Sequence, residues 1–140
     1  MAIDVQITFD AADPHAQARF WAAALGHETE DHSALVEQLH TAGHLPPEAI
    51  IDDGGRPAFR DVAACRDPAG RGPRLFFQRV PEAKTAKNRI HLDLHVGPAR
   101  LNAEVDRLIA LGATRLWVST DRGGPCVTLQ DPEGNEFCLE

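Results

Sequence analysis

The second half of the chain holds five side chains of types that move protons or hold small ligands: His91, Asp93, His95, Glu136 and Cys138. His91, Asp93 and His95 alternate with Leu92, Leu94 and Val96, so on a strand they share one face. At that spacing a carboxylate can orient an imidazole, or the residues can simply share the face. An imidazole exchanges protons around neutral pH, which makes His91 the first candidate for catalysis. Glu136 is the second candidate, as the partner of His91 or as the base itself if burial raises its pKa. Other chemistries find no support. The glycine pairs Gly54-Gly55 and Gly123-Gly124 stand alone rather than in a phosphate-cradling loop, and no serine sits in a nucleophile elbow. Cys65, Cys126 and Cys138 form no CxxC pair, and reduced thiols are expected.

The elements that must position these residues follow from periodicity and punctuation. Residues 3–9, "IDVQITF", alternate as a strand. Asp13 suits a helix N-cap, Pro14 a first helical position and Gly26 a C-terminal stop, which predicts a helix over about 14–24. A short strand at 27–30, a second helix over 32–43 and a loop over 48–57 follow. Strands are expected at 59–66 and 73–80, joined by a turn at Asp67-Pro68-Ala69-Gly70. The polar run 81–88 reads as a linker. After it come a strand over 89–96 and a helix over 97–112 with Leu101, Val105, Leu108 and Ile109 at helical spacing. Strands at 113–119, 126–130 and 135–140 close the chain, with Asp131-Pro132-Glu133-Gly134 before the last.

The order repeats. Ile7 to Gly26 spans 19 residues and Leu94 to Gly112 spans 18. Gly26 to Asp67 spans 41 against 19 for Gly112 to Asp131, and the 22-residue excess falls in the extra helix and loop. Two copies of a βαβββ module are therefore expected within one compact domain. The first covers 1–80 with a helical insert near 30–58, 81–88 is the linker, and the second covers 89–140.

One register rule then sorts the faces. If Val5, Ile7 and Phe9 turn to the helices, Asp4, Gln6 and Thr8 turn away. The same rule sends Leu75, Phe77, Ile90, Leu92, Leu94, Val96, Val127, Leu129, Phe137 and Leu139 to the helix side. It leaves Phe76, Gln78, His91, Asp93, His95, Cys126, Thr128, Gln130, Glu136 and Cys138 on a polar face. The expected ligand-binding residues on that face are Gln6, Thr8, Gln78, Asp93, His95, Thr128 and Cys138. Trp117 could line the same face or an interface. His27, His32, His40 and His44 read as surface residues, and Arg79, Lys84, Lys87 and Arg89 as a solvated connection.

The segments "RFWAAALG", "KNRIHLDLHV", "LGA" and "DPEGNEFCL" resemble the vicinal oxygen chelate superfamily, specifically its glyoxalase-like group. That superfamily includes glyoxalase I, extradiol dioxygenases, and bleomycin and fosfomycin resistance proteins. The resemblance implies an α+β fold in which two βαβββ modules form a curved eight-stranded mixed sheet around a cup, with helices on the outer face. In metal-dependent relatives the first, fourth, fifth and eighth strands each supply one ligand. His91 matches the fifth-strand position, Gln78 is a possible fourth-strand match, and the first-strand position falls on Asp4 or Gln6. At the last strand the motif's Glu is replaced by Cys138, and Glu136 lies two residues early. Without that carboxylate the site is weak, so no tightly bound metal is expected; the alternative is a divalent Zn, Ni, Mn or Fe.

A formal net charge of -7 argues against nucleic acid as a partner, and no apolar run is long enough for a membrane span. With no recognisable signal peptide, a cytoplasmic protein is expected. The resemblance implies a small organic ligand and a homodimer. Two functions remain open: a metal-independent binder, resistance-type protein or lyase or isomerase using His91 with Asp93 or Glu136; and a metal-dependent lyase or dioxygenase built on His91, Gln78 and Glu136.

Overall fold

The start and stop of the first helix are set by residue chemistry. Asp13 is extended (φ -126°), its carboxylate accepts the Ala16 N–H at 3.0 Å, and Pro14 takes the first helical position. Gly26 ends the helix at φ +69°, a conformation that costs glycine no steric penalty. This computed structural model describes residues 1–121 and 123–140. The chain divides into two compact units, Met1–Pro81 and Glu82–Glu140.

The first unit runs β1 (Gln6–Ala11), α1 (Pro14–Leu25), β2 (Glu28–Thr29), α2 (Ser33–Thr41), a 3-10 turn, β3 (Ile50–Asp53), β4 (Arg56–Phe59), β5 (Val62–Arg66) and β6 (Arg74–Arg79). Its sheet has the order β1-β6-β5-β2, with β1 and β6 parallel and the other pairs antiparallel. Helix α1 packs on β5 and β6. The core between them holds Phe20, Trp21, Leu75 and Phe77, all buried.

The second unit runs β7 (Asp93–Leu94), α3 (Leu101–Leu111), β8 (Thr114–Ser119), β9 (Cys126–Gln130) and β10 (Glu136–Leu139). Its sheet order is β7-β10-β9-β8, again with the first and last strands parallel. Leu101, Val105, Leu108, Val127, Leu129, Phe137 and Leu139 are buried. Each unit is thus a βαβββ module of the same strand order. The two Asp-Pro-x-Gly turns also make the same bonds. Asp67 accepts the Ala69 and Gly70 amides, and Asp131 accepts those of Glu133 and Gly134. Gly70 (φ +72°) and Gly134 (φ +86°) supply the left-handed residue each turn needs.

Several expectations change. The strands form two separate four-stranded sheets and a two-stranded ribbon rather than one eight-stranded sheet; among the described residues no ladder joins the two four-stranded sheets. The ribbon is β3–β4, which lies in the stretch 48–57 expected to be a loop. Gly54 (φ +64°) and Gly55 (φ +87°) accept the positive dihedrals of a two-residue hairpin turn, and Asp52 accepts the Gly55 N–H at 3.0 Å. Phe59 therefore pairs with Ile50, and the strand expected over 59–66 begins at Val62. Strand β1 starts at Gln6, and Val5, placed on the helix side by alternation, is exposed. The strand expected over 89–96 shortens to Asp93–Leu94, at the sheet edge beside β10. Ile90 is 86% exposed rather than core, and Ile109 lies on the open side of α3.

Candidate functional site

The register of the second sheet decides which side chains meet. Asp93 pairs with Cys138, and Cys138 with Thr128 and then Trp117, so these four stand in one row on one face. Glu136 and Gln130 form the next row. Leu94, Leu139 and Val127 form a row on the opposite face, which carries the apolar core. The polar face of this sheet is the one that alternation predicts.

Just before β7, His91 turns back toward Asp93, with Nδ1 2.8 Å from Oδ1. The two side chains are 30% and 32% exposed, so the pair is shielded yet reachable. An ionised carboxylate only accepts, so this contact calls for a proton on Nδ1 and, in the neutral ring, leaves the lone pair on Nε2. Cys138 Sγ lies 3.5 Å from Thr128 Oγ1. Burial, helped by the Cys138 thiol and the Glu140 and Asp93 carboxylates, pushes the Cys126 thiol up to about 11, which keeps it protonated. His95 sits apart: its side chain is 78% exposed, with Nδ1 2.9 Å from the Glu140 carboxylate.

Glu136 is buried and does not take the expected role of partner to His91 in any hydrogen bond. It accepts the Asn88 N–H at 2.9 Å and pairs with Lys84 at 3.2 Å. Burial pushes its carboxyl up, but the Asn88 amide, its own backbone and Lys84 outweigh burial, and the net shift is downward. The condition for Glu136 as the base, a raised pKa, is therefore not met.

The first unit holds the other expected residues. Gln6, Thr8 and Asp10 of β1 pair with Arg74, Phe76 and Gln78 of β6 on one face. Gln6 accepts from Arg74 at 2.8 Å and donates to Thr8 at 3.4 Å; Gln78 donates to Asp10 at 2.9 Å. Here sequence reasoning missed a network. Glu30 takes both arms of Arg74 at 2.8 and 2.6 Å, Arg66 at 2.7 Å and His32 at 2.9 Å. Hydrogen bonding by Arg74, opposed by burial and reinforced by Arg66 and His32, lowers the Glu30 carboxyl to about 2. His32, expected at the surface, is thus half-buried in this network. No local motif announces it, because Arg74 lies 44 residues beyond Glu30.

One donor set suits a metal. Single ligand atoms of His91, Asp93 and Cys138 all lie within 4.8 Å of one another. An imidazole nitrogen, a carboxylate oxygen and a thiolate together fit a borderline ion such as Zn2+. The set of the metal-dependent alternative, His91, Gln78 and Glu136, differs: Gln78 bonds Asp10, and Glu136 is committed to Lys84 and Asn88.

Comparison with known proteins places the fold. The family model described as "Glyoxalase-like domain" matches residues 6–140. No curated protein matches the sequence. Solved structures do match. A glyoxalase/bleomycin resistance protein/dioxygenase family enzyme from Burkholderia phytofirmans PsJN is 15% identical, with 98% of this chain and 97% of that one covered and a TM-score of 0.64. The fosfomycin resistance protein FosX from Mesorhizobium loti is 11% identical, with coverage of 100% and 91% and a TM-score of 0.63. A mutant FosX from Listeria monocytogenes, complexed with Mn(II) and 1S,2S-dihydroxypropylphosphonic acid, is 12% identical, with coverage of 100% and 90% and a TM-score of 0.64. With residues 6–140 matched, the protein belongs to the glyoxalase-like domain family.

Proposed function

We propose that this protein binds a small organic molecule against the polar face of its second sheet, and that His91 exchanges a proton with it without a metal. The observation that carries this reading is the 2.8 Å contact between His91 Nδ1 and Asp93 Oδ1. Asp93 holds the ring in the tautomer whose Nε2 lone pair is available. Nε2 takes a proton from an acidic C–H or O–H of the ligand, Asp93 stabilises the imidazolium that forms, and the same proton returns to another atom of the ligand. That is an isomerase chemistry; where the electron pair left by the proton instead expels a group from the neighbouring carbon, and the proton goes to that leaving group, it is a lyase chemistry. Thr128 and Cys138, paired beside Asp93, offer a hydroxyl and a thiol to orient the ligand. With a ligand that has no acidic proton, the same face acts as a sequestering, resistance-type site. Glu136 fixes the Lys84–Asn88 segment against β10 and is a positioning residue in this scheme.

The test is a panel of aromatic and small dicarbonyl compounds on the wild type, His91→Ala and Glu136→Gln, each first checked for folding by circular dichroism. Loss of turnover with retained binding in His91→Ala marks an enzyme; loss of binding alone marks a sequestering protein. Unchanged behaviour in His91→Ala removes the proposal.

The His91, Asp93 and Cys138 donor set favours a second reading, a metal-dependent lyase or dioxygenase. A divalent ion there would supply a Lewis acid to a ligand oxygen. Elemental analysis separates the two readings. One equivalent of a transition metal per chain, lost in His91→Ala, supports the second.

We also propose a homodimer. The observation behind it is the edge strand β8, where Trp117 and Val118 stand 49% and 45% exposed. Light scattering at micromolar concentration checks it, and a monomeric mass rejects it.

A further inference from the structure

A cavity of about 510 Å³ opens in the first unit among α1, β2, the β3–β4 hairpin and β5. That size suits a small ligand. Part of its wall is apolar and small: Ala18, Ala63 and Ala64 are buried, and Phe59 stands beside the His32 ring with centroids 6.0 Å apart. Methyl groups where larger side chains would fill the space leave room for a flat body.

The polar groups of the cavity are unevenly spent. Asp53 uses one oxygen on Arg19 at 2.9 Å, while the other faces His15 Nδ1 at 3.5 Å. Asp31 uses one oxygen on the Ser33 N–H at 2.9 Å and the other on Arg56. Glu30 is filled by Arg74, Arg66 and His32. His15 Nε2 donates to the Phe59 carbonyl at 2.7 Å. Glu30 and Asp31 are therefore engaged at both oxygens, while Asp53 Oδ2 meets only His15 Nδ1, which in the neutral ring carries no proton because Nε2 donates to Phe59. Each guanidinium, by contrast, spends one of its five N–H groups on its aspartate and is more than half exposed at the rim, Arg19 at 56% and Arg56 at 68%. The spare capacity at the rim is mainly donor capacity, which a ligand meets with acceptors.

We propose that this cavity binds a small organic anion, a carboxylate carried on a flat apolar body. The body lies against Phe59, His32 and the alanines, and the carboxylate takes the open N–H groups of Arg19 and Arg56, whose planar forks match carboxylate geometry. A cationic ligand finds one open carboxylate oxygen, Asp53 Oδ2, against the spare N–H groups of two guanidiniums. The site is built from residues of the Met1–Pro81 unit and does not depend on the role of His91.

The test uses benzoate, its neutral isostere benzamide, and benzylammonium, titrated into the full chain by calorimetry and followed by amide NMR. Benzoate should bind one to one and shift the amides of His15, Ala18, Arg19 and Ala58. Benzamide and benzylammonium should bind at least tenfold more weakly. Arg19→Met and Arg56→Met, each checked for folding, should weaken benzoate at least tenfold, and His91→Ala should leave it unchanged. Absence of benzoate binding, equal binding of benzamide, a preference for benzylammonium, or amide shifts confined to the Glu82–Glu140 unit would each overturn the proposal.

Discussion

Asp93 faces Cys138 across the parallel ladder of β7 and β10, and the same carboxylate holds His91 Nδ1 at 2.8 Å. A residue of a two-residue strand thereby gathers an imidazole and a thiol onto one polar face. The short strand is enough because the Leu92 and Leu94 carbonyls accept the Cys138 and Glu140 amides, at 2.9 and 3.0 Å, and pin the segment to β10.

The His91 tautomer follows from this contact. Nitrogen-detected NMR of the wild type should show His91 protonated at Nδ1 at a pH where the ring is neutral. Asp93→Ala should return the ring to a mixture of tautomers. A wild-type ring protonated at Nε2 contradicts the proton-transfer scheme.

Acid should act through Glu30. Its carboxyl lies at about 2 in the folded chain against an ordinary value of 4.5. A lowered folded pKa stabilises above 4.5, and the contribution fades as pH falls from 4.5 toward 2. At neutral pH this is worth on the order of 2–3 kcal/mol. Denaturant unfolding of the wild type and Glu30→Gln should differ by about that much at pH 7, and the difference should shrink toward pH 2. A constant difference across the range would show that charge is not the cause.

Asp131 organises the second turn more densely than Asp67 does the first. It is 3% exposed and accepts from the Glu133 and Asn135 amides and from the Asn135 side chain. Asp67 accepts from Ala69 and from the exposed Arg71. Asp131→Ala should cost about 2–3 kcal/mol in denaturant unfolding, and Asp67→Ala about 1 kcal/mol. The reverse order would count against the turn bonds as the cause.

Glu136 needs Lys84. Lys84→Met leaves a buried carboxylate short of its cation, and should destabilise by about 1–2 kcal/mol. Its pKa should rise, so part of the loss should be recovered at low pH. Lys84→Met combined with Glu136→Gln should recover stability relative to Lys84→Met alone. A double variant that shows simple additivity would mean the pair is not coupled.

Much of the fold can be read locally. The helix limits rest on Asp13, Pro14 and Gly26, and the two hairpins on Asp-Pro-x-Gly, because caps and turns are decided by neighbours within four residues. The polar face of β9 and β10 is equally legible, since side chains alternate with period two wherever a strand forms. The Gly54-Gly55 hairpin was present in the letters too, but the flanking runs, "IIDD" and "RPAF", do not alternate cleanly.

What only the tertiary structure decided is which partner each polar group takes. Alternation placed Glu136 and Asp93 both on the face of His91, but His91 bonds Asp93 while Glu136 turns to Lys84 and Asn88. It likewise gave Ile90 to the core, although the strand stops short of it and leaves it exposed. Glu30 meets Arg74 across 44 residues, through the pairing of β2 with β5 and β5 with β6. The sequence by itself determined the local elements and their faces, because backbone sterics and periodicity act over a few residues. Partner choice depends on distances set by packing and ladder register, and those exist only once the chain has folded.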